Sequence, residues 1–165
     1  MHPRHHRPAF TLIELLIVIA ILGVLATIVL VSLGEARKRA RDVRRISDIR
    51  QLQIALELYH NQNNQYPQSF SDLIPTLIPN NPVDPSGSGY FNNGNYFYVP
   101  LGDIGSCIGY HMGAVLENSS DSALANDSDA SSSASCVNGV NDFDGTSQDC
   151  GSTAGPPDQC YDIWK

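Results

Sequence analysis

Residues Phe10 to Leu33 read FTLIELLIVIAILGVLATIVLVSL, twenty-four residues with one ionisable side chain, Glu14. About 20 apolar residues at ~1.5 Å rise each span the hydrocarbon of a bilayer. This stretch can therefore cross a membrane as one helix. A charge at mid-bilayer costs about 2.5–3.5 kcal/mol on insertion scales, and such groups usually have a partner and a role. The bland alternative is a carboxylate near the helix end that snorkels to the headgroups.

The residues before the stretch favour the partnered reading. Met1 to Ala9 read MHPRHHRPA, short and basic through Arg4 and Arg7. A secretory signal peptide places its small-residue cleavage site after the apolar region. Here the small residue, Ala9, precedes it. Cutting after Ala9 would leave the apolar helix on the mature chain and create a free amine on Phe10. His2, His5 and His6 are few and broken by Arg4, and read as leader residues rather than a metal tract.

The run Ala9-Phe10-Thr11-Leu12-Ile13-Glu14, followed directly by the apolar stretch, resembles the processing site and N-terminal helix of type IV pilins and type II secretion pseudopilins. The resemblance implies a prepilin peptidase that removes the leader and methylates Phe10. It implies an inner-membrane assembly platform, and a Glu14 that pairs with the terminal amine of a neighbouring subunit during assembly. The strong resemblance covers roughly residues 9 to 67. Two positions depart from the family's usual pattern: Ala9 stands where Gly is usual, and Val31 where many members have a Pro. Pro removes a hydrogen bond and kinks a helix, so a straighter span is expected. Gly23 and Gly34 are its weak points.

From Gly34 to His60 the pattern becomes amphipathic. Apolar residues fall at Ala36, Ala40, Val43, Ile46, Ile49, Leu52, Leu56 and Tyr59, three or four apart. The opposite faces carry Arg37, Lys38, Arg39, Arg41, Arg44, Arg45 and Arg50. No Pro interrupts Thr11 to Gln65, so one helix of about 50 residues, about 75 Å at ~1.5 Å each, is expected. It should end in the polar run Asn61 to Gln65. The apolar stripe shifts register too often for a sustained coiled coil.

Nine of the ten Lys and Arg residues lie at or before Arg50, the tenth being Lys165, so the net charge of -7 conceals a basic helix and an acidic head. The basic helix suits anionic lipid headgroups at ~1 kcal/mol per residue, or the acidic surface of a neighbouring subunit. Nucleic acid is the weakest of the three partners, because the basic stretch lacks aromatic interleaving. The flank after the span outweighs the leader in Lys and Arg, seven to two. The positive-inside rule would thus retain the C-terminal region in the cytoplasm. The cysteines, the Asn-, Ser- and Gly-rich head and the family resemblance argue for export, which is the reading taken.

Beyond residue 66, Tyr66-Pro67 opens a turn and a short helix, with Ser69 or Ser71 as cap. Pro75, Pro79, Pro82 and Pro85 punctuate a loop. Tyr96 to Pro100, Gly109 to Leu116 and Cys160 to Trp164 read as strands. Tyr-Pro after the long helix, and Asp84-Pro85 before an aromatic strand, again resemble major pseudopilins. The expected fold is α+β: a long N-terminal helix, membrane-spanning in its first half, packed on a small antiparallel sheet with a loop-rich, disulfide-stapled C-terminal region. The expected organisation is a leader at 1–9, a transmembrane and assembly helix at 10–33, its amphipathic continuation at 34–65 and a globular head at 66–165.

Glu117 to Pro157 is rich in Ser, Asp, Asn and Gly, a composition that buries little core. Cys136 and Cys150 lie in it, with Cys107 before and Cys160 after. In an exported domain four cysteines read as two disulfides. Three pairings are open, and neighbour pairing, Cys107 with Cys136 and Cys150 with Cys160, is one of them. Zinc is the rival reading, but no C-x-x-C spacing occurs. Asn141-Asp142-Phe143-Asp144-Gly145 and Asp149 supply hard oxygens around a Gly turn, to which Asp127 and Asp129 could add. This is not an EF-hand, since Val140 stands at the first ligand position and no Glu closes the loop. A solvated acidic turn is the leading reading, and calcium at Asp142, Asp144 and Asp149 the rival. The family resemblance supports calcium, because some pseudopilins carry it in a head loop.

No catalytic residue is expected. No G-x-S-x-G elbow, H-E-x-x-H, Walker or dinucleotide fingerprint occurs, and His111 beside Tyr110 and Met112 reads as a structural strand histidine. The expected function is a structural subunit of a pilus-like or pseudopilus filament. It would be single-pass before assembly, leader inside and head outside, and then part of a surface or periplasmic fibre of identical copies. The alternative is a membrane-anchored extracytoplasmic binding or sensor domain that never polymerises.

Overall fold

The computed structural model describes residues 11–87, 91–131, 133–151 and 157–165. Helix α1 runs Leu12–Asn63, 52 residues. It continues until Asn64, which takes a left-handed φ of 57°, a conformation that Asn tolerates better than most residues. The chain divides into two compact units, Met1–Arg37 and Lys38–Lys165.

In the first unit the apolar side chains described on α1 from Leu12 to Leu33 are exposed to the surroundings. In the second unit, α1 packs through Ile49, Leu52, Ala55 and Leu56, which recur at helical spacing and are buried. Below them, Ser69 caps a single 3-10 turn, Phe70–Leu73, reciprocally with Asp72, and turns Phe70 and Leu73 inward.

Three strands form an antiparallel sheet in the order β1 (Phe97–Asp103), β2 (Ser106–Val115), β3 (Cys160–Trp164). Side chains alternate across a strand, so β2 serves two layers. Tyr110, Met112 and Ala114 join the α1 residues with Tyr66, Phe70 and Leu73. Val115 faces the other way, with Val99, Leu101, Phe143 and the Cys150 and Cys160 sulfurs. The polar segment after Glu117 serves both layers: Leu124 and Cys136 join the α1-facing core, while Phe143 and Cys150 roof the second face of the sheet. Composition understated this: a few apolar residues suffice when disulfides and backbone hydrogen bonds hold the rest.

Four expectations on α1 are corrected. Ala36, Ala40 and Val43, assigned to the apolar stripe, are exposed, and Arg45, assigned to the solvated face, is completely buried. The physical reason is spacing together with partners. Arg45 lies four residues before Ile49 on the inward stripe, and acidic groups from distant segments meet it there.

Candidate functional site

The N-terminus of α1 is built on a reciprocal cap. Thr11 precedes the first helical residue, and its N–H and Oγ1 both donate to Glu14 Oε2, at 2.9 and 2.7 Å. The Glu14 N–H returns a bond to Thr11 Oγ1 at 3.3 Å. Thr-x-x-Glu is the capping-box pattern, which satisfies donors that a helix start leaves open. The single carboxylate of the apolar stretch is thus engaged within its own chain, at the end of a helix long and apolar enough to cross a membrane. Ala9 and Phe10, the expected processing and methylation residues, lie outside the described residues, as does any pairing of Phe10 with Glu14.

A second cluster clamps α1 to the head. Arg45 Nε and Nη2 hold Asp84 Oδ2 and Oδ1 at 2.5 and 2.9 Å, and Nη2 also reaches Ser86 Oγ at 2.7 Å. Its Nη1 donates to Asp42 Oδ1 at 2.6 Å and Glu117 Oε1 at 2.8 Å. Arg41 adds a two-pronged contact to Glu117 at 2.6 and 2.5 Å. Asp42 accepts the backbone N–H groups of Glu117 and Asn118. Burial opposes the charge on Arg45, but the bonds to Asp84, Glu117 and Asp42 outweigh it and raise its pKa. The Arg41 bond, opposed by burial and helped by Arg45, lowers Glu117 to about 2. The planar guanidinium is what allows four acceptors to be served at once.

The third cluster lies under the roof of the sheet. His111, fully buried on β2, has Nδ1 2.7 Å from Asp142 Oδ1 and Nε2 2.8 Å from Asp162 Oδ2. Burial works against its protonation, yet the two carboxylates win and its pKa is raised. Its ring stacks on Phe143 at 3.7 Å. Asp162 also accepts the N–H groups of Ser128, Asp129 and Ala130, and Asp142 that of Ser133. His111 is a structural keystone joining strand, loop and roof. Gly145 permits this closeness, because a Cβ there would collide with the Asp162 carboxylate.

The expected calcium ligands each accept hydrogen bonds within the chain. Asp142 serves His111 and Ser133, Asp144 Oδ1 caps a turn through Thr146 N and Oγ1, and Asp149 Oδ1 accepts the Gly151 N–H. Among the described residues, the acidic groups that converge are Asp127, Asp129 and Asp162, with oxygens within 4.8 Å of one another. Both Asp127 carboxylate oxygens are buried without a hydrogen-bond partner. Burial, then the charges of Asp162 and Asp129, push Asp127 up to about 7. Sequence reasoning named Asp127 and Asp129 as auxiliary ligands and missed Asp162, which reaches them only through β3.

The cysteines pair as Cys107–Cys136 and Cys150–Cys160, with Cα–Cα distances of 5.2 and 5.0 Å. The first ties the start of β2 to the roof, and the second ties the roof to β3.

Residues 4–30 match the prokaryotic N-terminal methylation motif. The type II secretion system core protein G of Aeromonas hydrophila is 32% identical over 135 residues, covering 74% of this chain and 94% of its own length. The core protein G of Pectobacterium carotovorum is 36% identical over 96 residues, 58% of this chain and 61% of its own length. The type IV wide pilus major component PilA4 of Thermus thermophilus is 33% identical over 99 residues, 60% of this chain and 76% of its own length. No solved structure matches the chain.

Proposed function

Because the chain belongs to the type IV pilin and type II secretion pseudopilin family, we propose that it is a structural, non-enzymatic subunit of a filament, polymerised through the apolar first half of α1. The observation that carries this reading is the exposed apolar side chains described from Leu12 to Leu33, with one carboxylate, Glu14, in a stretch that the methylation motif at residues 4–30 largely covers. A prepilin peptidase cuts between Ala9 and Phe10 and methylates Phe10. Before assembly the helix rests in the membrane, leader in the cytoplasm and head outside, with the Arg-rich segment against lipid headgroups. During assembly the freed Phe10 amine of one copy answers the Glu14 carboxylate of the next. Breaking such a pair in a low-dielectric setting costs about 3–5 kcal/mol, enough to set register. Contacts repeated head to tail generate open fibres.

The test is N-terminal mass analysis of the mature protein, with electron microscopy of cells that express it. A start at methylated Phe10 and fibres that disappear on deletion support the filament. A start at Met1 with monomers in the membrane supports an anchored binding domain instead.

A cation site accompanies this reading. We assign calcium to Asp127, Asp129 and Asp162, because the orphaned Asp127 oxygens are what a bound hard cation would satisfy. When bound, the ion would neutralise three crowded carboxylates and tie the roof to β3. Calorimetric titration of the full chain in detergent with calcium should give saturable heat and a higher melting temperature. Neither effect should appear in Asp127→Asn, and no heat from the unaltered protein would end the assignment.

A further inference from the structure

A glycine after Asn or Asp has no side chain to keep its nitrogen from the carbonyl carbon of the preceding side chain. The chain has three such steps, Asn93–Gly94, Asn138–Gly139 and Asp144–Gly145. The fold treats them differently.

Asp144–Gly145 is closed. Gly145 is buried, and its N–H donates to the Ala130 carbonyl at 2.8 Å. Asp144 Oδ1 is engaged by the Thr146 N–H and Oγ1, at 3.0 and 2.7 Å. Asn93–Gly94 lies in the single 3-10 turn Phe91–Gly94, where Gly94 is buried. Asn138–Gly139 is open, with both residues exposed. They are the central pair of a turn that the Val140 N–H closes on the Val137 carbonyl at 3.3 Å. Gly139 takes a φ of 78°, the value of the second central residue of a type II turn, and a Cβ on it would meet nothing. Among the described residues, neither the Asn138 side-chain amide nor the Gly139 N–H has a hydrogen-bond partner.

We propose that Asn138 is a modification site, converting without an enzyme to aspartate and isoaspartate in the folded protein. The Gly139 nitrogen gives up its proton to solvent and attacks Asn138 Cγ. The bond from Cγ to the side-chain nitrogen breaks, ammonia leaves, and a cyclic imide remains. Water then opens the imide. Attack at Cγ yields aspartate with the original main chain. Attack at the main-chain carbonyl yields isoaspartate, whose main chain runs on through Cβ and Cγ. The net change is loss of ammonia and gain of water, with no oxidation.

Either product adds a negative charge to a head that, from residue 51 onward, already holds thirteen Asp and Glu residues against Lys165. The segment is held on both sides of the turn, by the Cys107–Cys136 disulfide and by the contact of Asp142 with His111 at 2.7 Å. Isoaspartate therefore lengthens a stretch whose ends are fixed. The converted fraction grows with time since folding, so it records the age of a chain whether or not that chain polymerises.

The test incubates the full chain in detergent at mildly alkaline pH for weeks. Intact mass follows the change from amide to acid, and peptide mapping that resolves isoaspartate locates it. Isoaspartate should accumulate at residue 138. At residue 144 it should form at least roughly tenfold more slowly, because Gly145 must first open locally. Unfolding in denaturant with the disulfides reduced should narrow that difference. Asn138→Gln should abolish the change in its peptide, since a glutamine would have to close a larger ring. An Asn138 that stays intact in the folded protein while the unfolded chain converts it overturns the proposal. So does conversion at residue 93 or 144 as fast as at 138 in the folded protein.

Discussion

Arg45 on α1 grips Asp84, thirty-nine residues away, with both carboxylate oxygens engaged and the arginine side chain wholly removed from solvent. A charge buried this way is tolerable only because its hydrogen bonds are nearly all met. The pair is therefore less a source of net stability than a condition on the fold. α1 seats on the head only in the register that brings Arg45, with its helix neighbour Asp42, to Asp84 and Glu117.

Removing the guanidinium should be costly. Arg45→Ala leaves Asp42 and Asp84 buried without their cation, and a loss of about 3–5 kcal/mol is expected. Arg45→Lys should recover little of it, since an ammonium cannot make the two-pronged contact. Urea unfolding of the detergent-solubilised protein, followed by circular dichroism, measures both. A lysine variant as stable as the parent would refute the geometric argument.

Glu117 predicts an acid sensitivity. Its pKa is lowered from 4.5 to about 2, chiefly by Arg41. The folded form therefore holds this proton less readily than the unfolded one. The stabilisation it supplies is complete above about pH 4.5 and is lost as pH falls toward about 2. Comparing unfolding midpoints at pH 6 and pH 3, Glu117→Gln should lose less between the two than the parent does. Equal losses would mean that Glu117 is not the titrating partner.

At the other end of α1, Glu14→Ala should insert in the membrane at normal level but build at least roughly a hundredfold fewer filaments, as the loss of a charge pair of about 3–5 kcal/mol implies. Thr11→Val removes the hydroxyl but keeps the backbone N–H, so it loses only part of the cap. Its filament yield should fall between those of the parent and Glu14→Ala. Normal assembly by Glu14→Ala would end the pairing role.

The two disulfides should differ in worth. By loop-closure entropy, the sequence separation of 29 for Cys107–Cys136 predicts about 3.6 kcal/mol, and the separation of 10 for Cys150–Cys160 about 2.7 kcal/mol. Paired Cys→Ser variants in denaturant titrations would show that order. The reverse order would mean that residual structure in the unfolded chain governs the effect.

Much of this protein was legible residue by residue. An uninterrupted apolar run with one carboxylate needs no tertiary information to be recognised as a helix long and apolar enough to cross a bilayer, because bilayer thickness and helix rise set that length. The Thr11–Glu14 cap is also written at fixed local spacing, although from the sequence Glu14 is expected only at the headgroups or with a terminal amine; β1 to β3 announced themselves by aromatic and β-branched runs. Short-range geometry decides such features. What the tertiary structure alone decided is where charge goes. Arg45 sits on the inward stripe of α1, four residues before Ile49, but an arginine is buried only if acceptors arrive, and Asp84 and Glu117 come from 39 and 72 residues away. The same holds for Asp127, Asp129 and Asp162, brought together by β3, while Asp142 was drawn away to His111. Burial of a charge depends on partners that only the folded chain assembles, and local pattern carries no record of them.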